Sequence, residues 1–215
     1  NDLKKFVGVA GKRMPEIVVK SDAAKESTSA VKELGWLTEP ALPNRFPHNS
    51  HHERWSGTLK SLVRASVLQS GFPEKAASWA IPCAAITLAI EQPCPIHPHE
   101  RDAAGNVLEA HLHKVNWTCW QALHDGDAFP GKRACFGQLL YYLDKKTNSL
   151  MSNTSPGLFV GYRLESGFRY RGVLQIVDYE AVREGNFEWR RVKSIHEKRN
   201  CCTRRTCLSI CACAG

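Results

Sequence analysis

The sequence has no long apolar run: nowhere do about eighteen uncharged apolar residues follow one another, which excludes an ordinary transmembrane helix. It also has no signal-peptide core near its first residue, and it does not begin with Met. We therefore expect an intracellular protein, nuclear or cytoplasmic, whose sequence is cut from the interior of a longer chain.

Catalytic signatures are scarce as well. The chain contains no glycine-rich phosphate loop and no nucleophile elbow, and Cys135 has no evident His partner. Two histidine pairs, His97 with His99 and His111 with His113, could each place two metal ligands on one strand face. Both pairs lie in irregular sequence, where we interpret them as surface residues. The sequence thus gives no support to P-loop chemistry or to a serine or thiol nucleophile.

Positive charge and cysteine are both concentrated at the carboxyl end. Residues 190–215 hold seven Lys or Arg and one Glu, which accounts for +6 of the net charge of +8. Five of the nine cysteines lie in residues 201–215, but without the two separated pairs that a zinc site usually needs. Three interpretations of residues 198–215 stay open: translated non-coding or frame-shifted sequence, a disordered tail, or a metal site. The basic residues favour polyanions through counterion release.

The first 90 residues alternate between strand-like and helix-like patterns, which is typical of an α/β layer domain. A β-branched run predicts a buried strand first, and apolar residues at helical spacing then predict helices. In chain order, the predicted elements are a strand at 16–20, a helix at 24–34 ended by Gly35, a short strand at 36–42, a helix at 52–69 and an apolar helix at 72–90, bent at Pro82.

The pattern changes in the second half of the chain. Residues 91–115 are rich in proline and predict a connector, with a domain boundary near residue 115. Short strand-like runs separated by turn residues follow, and they predict a small antiparallel barrel or sandwich. The predicted strands are 139–143, 157–162, 169–176 and 189–195.

Four segments of the sequence resemble signature segments of Copia-type retrotransposon integrases. They occur in the same order as in that family and at matching spacing. Residues 17–26, Ile-Val-Val-Lys-Ser-Asp-Ala-Ala-Lys-Glu, resemble the strand and SDNGGE segment, and residues 49–54, Asn-Ser-His-His-Glu-Arg, resemble the NG-x-x-ER helix start. Residues 70–80 resemble the sgLP-x-x-fW-x-eA helix. The Phe-Gly pair at 136–137 and Gly-Leu-Phe-Val-Gly-Tyr at 157–162 resemble the FG and GxFxGY motifs of the following SH3-like domain.

The resemblance covers roughly residues 1–195 and implies a domain plan. Residues 1–90 would be part of an RNase H-like integrase catalytic core, and residues 91–115 a connector. Residues 116–197 would form an SH3-like antiparallel β-barrel. Residues 198–215 lie beyond the resemblance and are expected to be a basic, Cys-rich tail, for which disorder is one of the three interpretations above. The expected fold class is therefore α/β, with a partial core followed by a small barrel.

By the same resemblance, Asp22 and Glu53 are the second and third members of a D,D–E set that binds Mg²⁺ or Mn²⁺ in the intact parent. Hard ions of this kind prefer carboxylate oxygens, and two of them can stabilise both oxygens of an in-line displacement at phosphorus. The residues alone also allow Asp22 to be a helix cap or turn residue. They equally allow Glu53 to be a favourable charge at a helix N-terminus.

Departures from the family pattern count against activity. The first Asp of the set would lie upstream of Asn1, and Ala23-Ala24-Lys25 stands where the family has Asn-Gly-Gly. Lys25 places a positive charge where a metal ion or a phosphate would approach. We therefore expect a chain derived from a polynucleotidyl transferase that lacks strand-transfer activity itself.

Three functions stay open. The chain is a fragment of an integrase whose intact parent joins element DNA to target DNA, or a non-catalytic nucleic-acid-binding module, or an unrelated globular interaction protein. Element ends and target DNA are the expected partners; a homo-oligomer is left open, and no membrane association is expected. The residues expected to contact nucleic acid are Asn49, Arg54, Lys60 and Arg64.

Overall fold

A parallel β–α–β unit opens the described part of the chain. The computed structural model describes residues 18–21, 25–40, 50–93, 104, 106, 116–143, 154–197 and 201–202. Strands β1 (Val18–Ser21) and β2 (Leu37–Pro40) pair in parallel, and helix α1 (Lys25–Glu33) connects them. The predicted strand, helix and second strand are confirmed.

The burial predicted for β1 is wrong. Val18 is 49% exposed, and Leu37, its partner on β2, is 51% exposed. The two strands form a sheet of their own among the described residues, and a two-stranded sheet covers little of either strand. Val31 of α1 is buried.

Two longer helices follow, as predicted. Helix α2 (Ser50–Ser70) ends before Gly71, whose φ of 70° suits the left-handed conformation that commonly stops a helix. A 3₁₀ turn (Glu74–Ala76) leads into α3 (Ala77–Glu91), which carries no charge before Glu91 and buries seven side chains. No helix in the described ranges is both long and apolar enough to cross a membrane.

An antiparallel sheet forms the second half, as the alternating strand patterns predict. Its strands run in the order β6-β5-β4-β3-β7, and no ladder joins β6 to β7 among the described residues, so a closed barrel is not seen there. The chain is thus mixed α/β with an antiparallel sheet. The strands are β3 (Leu139–Leu143), β4 (Thr154–Glu165), β5 (Arg169–Asp178), β6 (Val192–His196) and β7 (Cys201–Cys202).

Three local features of this half differ from the sequence prediction. The run at 189–195 begins as a 3₁₀ turn (Trp189–Arg191), and the strand starts only at Val192. Two short helices were not predicted: α4 (Cys119–Leu123) and α5 (Tyr179–Arg183). Both are only five residues long, so neither contains enough residues to display helical periodicity.

Strand β4 is the centre of the hydrophobic core. Its residues from Gly157 to Tyr162 are all buried, so both of its faces are covered, and Phe159 and Val160 have no exposed surface. Helix α3 reaches the strand at Gly161, where an added Cβ would lie 3.7 Å from the Cβ of Cys83. Phe159 and Tyr162, both within the predicted strand 157–162, are buried.

Contacts divide the chain into two compact units. One is Asn1–Ser61 with Leu164–Arg169, and the other is Leu62–Arg163 with Tyr170–Gly215. The boundary predicted near residue 115 falls outside the described residues and stays a prediction, as do most of the connector and the tail.

Replacing Phe159 with Ala should lower the free energy of unfolding by about 3–5 kcal/mol, because it empties a fully buried site in the central strand. Urea denaturation followed by circular dichroism measures the loss. Leu139→Ala on β3 is the control, since that side chain is 45% exposed and should cost about 1 kcal/mol or less. Equal losses in the two variants would show that β4 is not the core.

Candidate functional site

Helix α2 presents a basic face to solvent. Glu53, Lys60 and Arg64 are separated by seven and four residues, about two turns and one turn, so they lie on one line along the helix. Arg54 lies about 80° around the helix from Arg64, at the edge of the same exposed face. All four side chains are exposed, and none of the three cations forms an ion pair with a described residue.

Gly57 lies on the same line, between Glu53 and Lys60. An added Cβ there would meet no heavy atom within 4 Å, so the helix backbone is open to solvent at this point. A chain of phosphates could therefore approach the backbone closely between the carboxylate and the first lysine. The three cations supply the charge that such a chain needs.

Two residues of the predicted site, Asp22 and Asn49, lie outside the described residues. Strand β1 ends at Ser21 and helix α2 begins at Ser50, which are their immediate neighbours in sequence. Glu53 is in the first turn of α2, as predicted, and is exposed. In the described part of the chain no three His, Cys, Asp or Glu side chains are grouped to hold a metal ion.

Mg²⁺ is usually held by one or two carboxylates together with substrate phosphates and water. Glu53 is the single described member of the predicted set. No chemical step is therefore derived through a metal ion. The sequence-based assignment of Asp22 and Glu53 as ligands stays a prediction.

A polar cluster that the sequence did not reveal lies on the antiparallel sheet. The Tyr142 hydroxyl on β3 donates to Asp178 Oδ1 at the end of β5. Lys193 Nζ on β6 donates to that hydroxyl at 2.9 Å and pairs with Asp178 Oδ2 at 2.8 Å. The three residues belong to three strands that are far apart in sequence, so no local sequence motif predicts the cluster.

Gly157 allows this cluster to form. Strand β4 lies between β3 and β5, and the Tyr142 ring crosses it at Gly157. A Cβ on Gly157 would lie 3.2 Å from the Tyr142 ring and 2.9 Å from Cδ1 of Ile176, both closer than side chains normally pack. The hydroxyl can therefore reach Asp178 because β4 has no side chain in its path.

The protonation states in the cluster do not suit catalysis. Burial raises the pKa of Tyr142, and its hydrogen bond to Asp178 adds to the effect. Burial lowers the pKa of Lys193, but its hydrogen bonds to Asp178 and Tyr142 outweigh that effect and raise the pKa above 10.5. A protonated lysine and a neutral phenol, each bound to its neighbours, offer neither a general base nor a nucleophile at neutral pH. The cluster is a crosslink between strands.

Two further buried groups in the described part of the chain, Cys83 and Tyr162, have raised pKa values as well. Burial raises the pKa of the Cys83 thiol to about 12, which leaves little of the nucleophilic thiolate at neutral pH. Burial also raises the pKa of Tyr162 to about 12. Its hydroxyl donates to the Lys132 carbonyl at 3.0 Å and accepts from the Ala134 N–H at 3.1 Å. These groups hold the fold together.

No protein-family model matches the chain, and no curated protein matches it significantly. The candidate site is therefore identified from its geometry alone. It is an exposed cationic helix face, and no catalytic group lies beside it in the described ranges. Such a face suits binding of a polyanion better than chemistry.

Tyr142→Phe should lower the stability of the fold by about 1 kcal/mol near neutral pH, because it removes the hydroxyl that links Asp178 to Lys193. Tyr142 and Lys193 both bind their protons more tightly in the folded chain. Their contribution is thus fully present below the unfolded pKa values, 10.0 and 10.5, and is lost as the pH rises above them.

Urea unfolding at about pH 8 and about pH 11 measures this dependence. The parent chain should lose more stability between the two pH values than Tyr142→Phe does. Tyr141→Phe makes the same chemical change at the adjacent residue of β3 and should behave like the parent. If all three proteins lose the same stability, the crosslink does not contribute.

Proposed function

We propose that this chain is part of an integrase of the Copia type and that it binds DNA without catalysing strand transfer. The observation that carries the proposal is the exposed face of α2, where Arg54, Lys60 and Arg64 have no ion-pair partner among the described residues. Unpaired cations on one face of a helix bind the phosphate backbone and release its counterions.

The order of elements is compatible with a partial RNase H-like core followed by an SH3-like domain. A parallel β–α–β unit comes first, and β1 ends immediately before Asp22. Helix α2 carries Glu53 in its first turn, and the antiparallel sheet follows in the chain. The motif at residues 157–162 lies within the buried β4, which supports the comparison with the second domain.

The proposed role is binding and positioning of DNA. Arg54, Lys60 and Arg64 would contact phosphates on one strand, and the open backbone at Gly57 would let that strand come close to the helix. In an intact parent, Mg²⁺ would supply charge neutralisation at the reacting phosphate. Glu53, the described member of the predicted carboxylate set, would face the same strand.

The triple variant Arg54→Ala, Lys60→Ala, Arg64→Ala should bind random-sequence duplex DNA more weakly than the parent does. The slope of log affinity against log salt concentration should become less negative by about 2 to 3, because each phosphate contact contributes about 0.9 to that slope. Fluorescence anisotropy over a range of salt concentrations measures both quantities.

The control is Lys75→Ala, Arg183→Ala, Arg190→Ala, which removes the same charge from exposed positions elsewhere. It should change the slope little, because Arg183 and Arg190 already pair with Glu180 and Glu188. Equal effects of the two triple variants would mean that net charge alone drives binding. That outcome would refute the role of the helix face.

A further inference from the structure

Ser194 lies at the edge of the antiparallel sheet and turns its hydroxyl to solvent. It is the third residue of β6, which pairs with β5 alone among the described residues. The next side chain, Ile195, is buried, and side chains alternate along a strand, so Ser194 points away from the core. Its side chain is exposed. The hydroxyl is therefore open to an enzyme that approaches the edge of the sheet.

The guanidinium of Arg163 lies beside this hydroxyl. Arg163 is on β4, and β5 separates β4 from β6, so its side chain spans two strand spacings, about 10 Å. Arg163 Nη1 donates to Ser194 Oγ at 3.5 Å, a long hydrogen bond between two exposed side chains. Glu165 lies two residues along β4, but Arg163 forms no ion pair with a described residue. A cation thus lies beside a neutral hydroxyl, and the interaction would strengthen greatly if the hydroxyl became an anion.

Positive charge precedes Ser194 in the chain. Arg190 and Arg191 are four and three residues before it, and Lys193 comes immediately before it. Residues 189–196 contain no Asp or Glu. Protein kinases select substrates by such charge patterns, and basophilic kinases use carboxylates in their cleft to bind an arginine three residues before the acceptor serine. The sequence Arg-Arg-Val-Lys-Ser therefore fits this class of enzyme.

The backbone around Ser194 is close to the form that a kinase cleft binds, which is an extended chain. Strand β6 is extended, and its outer edge has no partner strand in the described ranges. Arg191 is exposed and forms no ion pair with a described residue. It ends the 3₁₀ turn Trp189–Arg191, which must extend for its side chain to reach the enzyme. Local opening of this turn and of one short edge strand is sufficient.

We propose that Ser194 is a phosphorylation site for a basophilic protein kinase and that Arg163 then binds the phosphate. The kinase transfers the γ-phosphoryl group of ATP. A bond forms between Ser194 Oγ and phosphorus, the bond from phosphorus to the leaving oxygen of ADP breaks with its electron pair on that oxygen, and the hydroxyl proton passes to the catalytic aspartate of the kinase.

The phosphate changes the contact between β4 and β6. It adds a charge of about −1.5 to −2 and three acceptor oxygens, and the planar guanidinium of Arg163 can donate to two of them. The modified Ser194 thus joins β6 to β4 across β5 by a charged pair. The proposal is independent of DNA binding, since neither residue belongs to α2.

The first experiment treats the full 215-residue chain with ATP and cyclic-AMP-dependent protein kinase and locates phosphate by mass spectrometry of a digest. Ser194 should be modified, and Ser194→Ala should lose that phosphate. Arg191→Gln should slow the reaction on the order of tenfold or more, because one charge-assisted contact with the kinase is lost. The control is Ser166→Ala. Ser166 also follows an arginine by three residues, but an acidic residue directly precedes it, so this variant should keep the phosphate at Ser194.

A synthetic peptide of residues 188–197 separates the sequence motif from the fold. Phosphorylation of both the peptide and the folded chain supports the proposal. If the peptide is phosphorylated and the folded chain is not, the fold closes the site and the proposal is overturned. If neither is phosphorylated, the motif is not a kinase site, which overturns the proposal as well.

The second experiment measures the second pKa of the phosphate by ³¹P nuclear magnetic resonance, using the signal that Ser194→Ala lacks. A neighbouring guanidinium favours the dianion, so this pKa should lie below its ordinary value of about 6. Arg163→Gln leaves the kinase motif intact and should return the pKa to about 6, whereas Arg163→Lys should keep part of the lowering. Arg183→Gln, an exposed arginine paired with Glu180, is the control and should leave the pKa unchanged. Equal pKa values in the parent and in Arg163→Gln would overturn the role of Arg163.

Discussion

The fold of the second unit depends on the close packing around strand β4. Its six residues from Gly157 to Tyr162 are all buried, and an added Cβ at Gly157 would lie only 2.9 Å from Ile176 Cδ1. At Gly161 helix α3 comes within van der Waals distance of the strand, and at Gly157 the Tyr142 ring crosses it. The helix and the Tyr142 ring thus approach the strand where it has no side chain. Because α3 has no charge before Glu91, its apolar surface can be buried there.

Polar groups inside this core are paired almost completely, which gives the sheet one preferred arrangement. The hydroxyls of Tyr142 and Tyr162 both have partners, and they link strands to each other and to the loop at Lys132. The indole N–H of Trp79, within a cluster of aromatic rings, and the side-chain oxygen of Gln92 are exceptions: both are buried without a hydrogen-bond partner among the described residues. The cations Arg54, Lys60 and Arg64 of α2, by contrast, lie at the surface.

The spacing of apolar residues predicts the longer helices and strands well, because many residues in each of them follow the same spacing. Helix α2 and strands β3, β4 and β5 follow their apolar patterns closely. Helix α4 is too short for periodicity, yet its capping box could have revealed it: Thr118 and Gln121 exchange side-chain and backbone hydrogen bonds three residues apart. The Tyr142–Asp178–Lys193 cluster could not be predicted, since it needs the strand order. The exposed cations of α2 were predicted because they depend only on helical spacing.

The central claim is that α3 and the sheet fold as one cooperative body around β4. Native-state hydrogen exchange at increasing urea tests it directly, because each amide reports the free energy of the opening that exposes it. The amides of β4 and those of the middle of α3 should exchange only through global unfolding, with the same free energy and the same dependence on urea. If the α3 amides exchanged through a separate opening of much lower free energy, the helix would be a peripheral addition, and the packing at Gly161 would not hold the fold together.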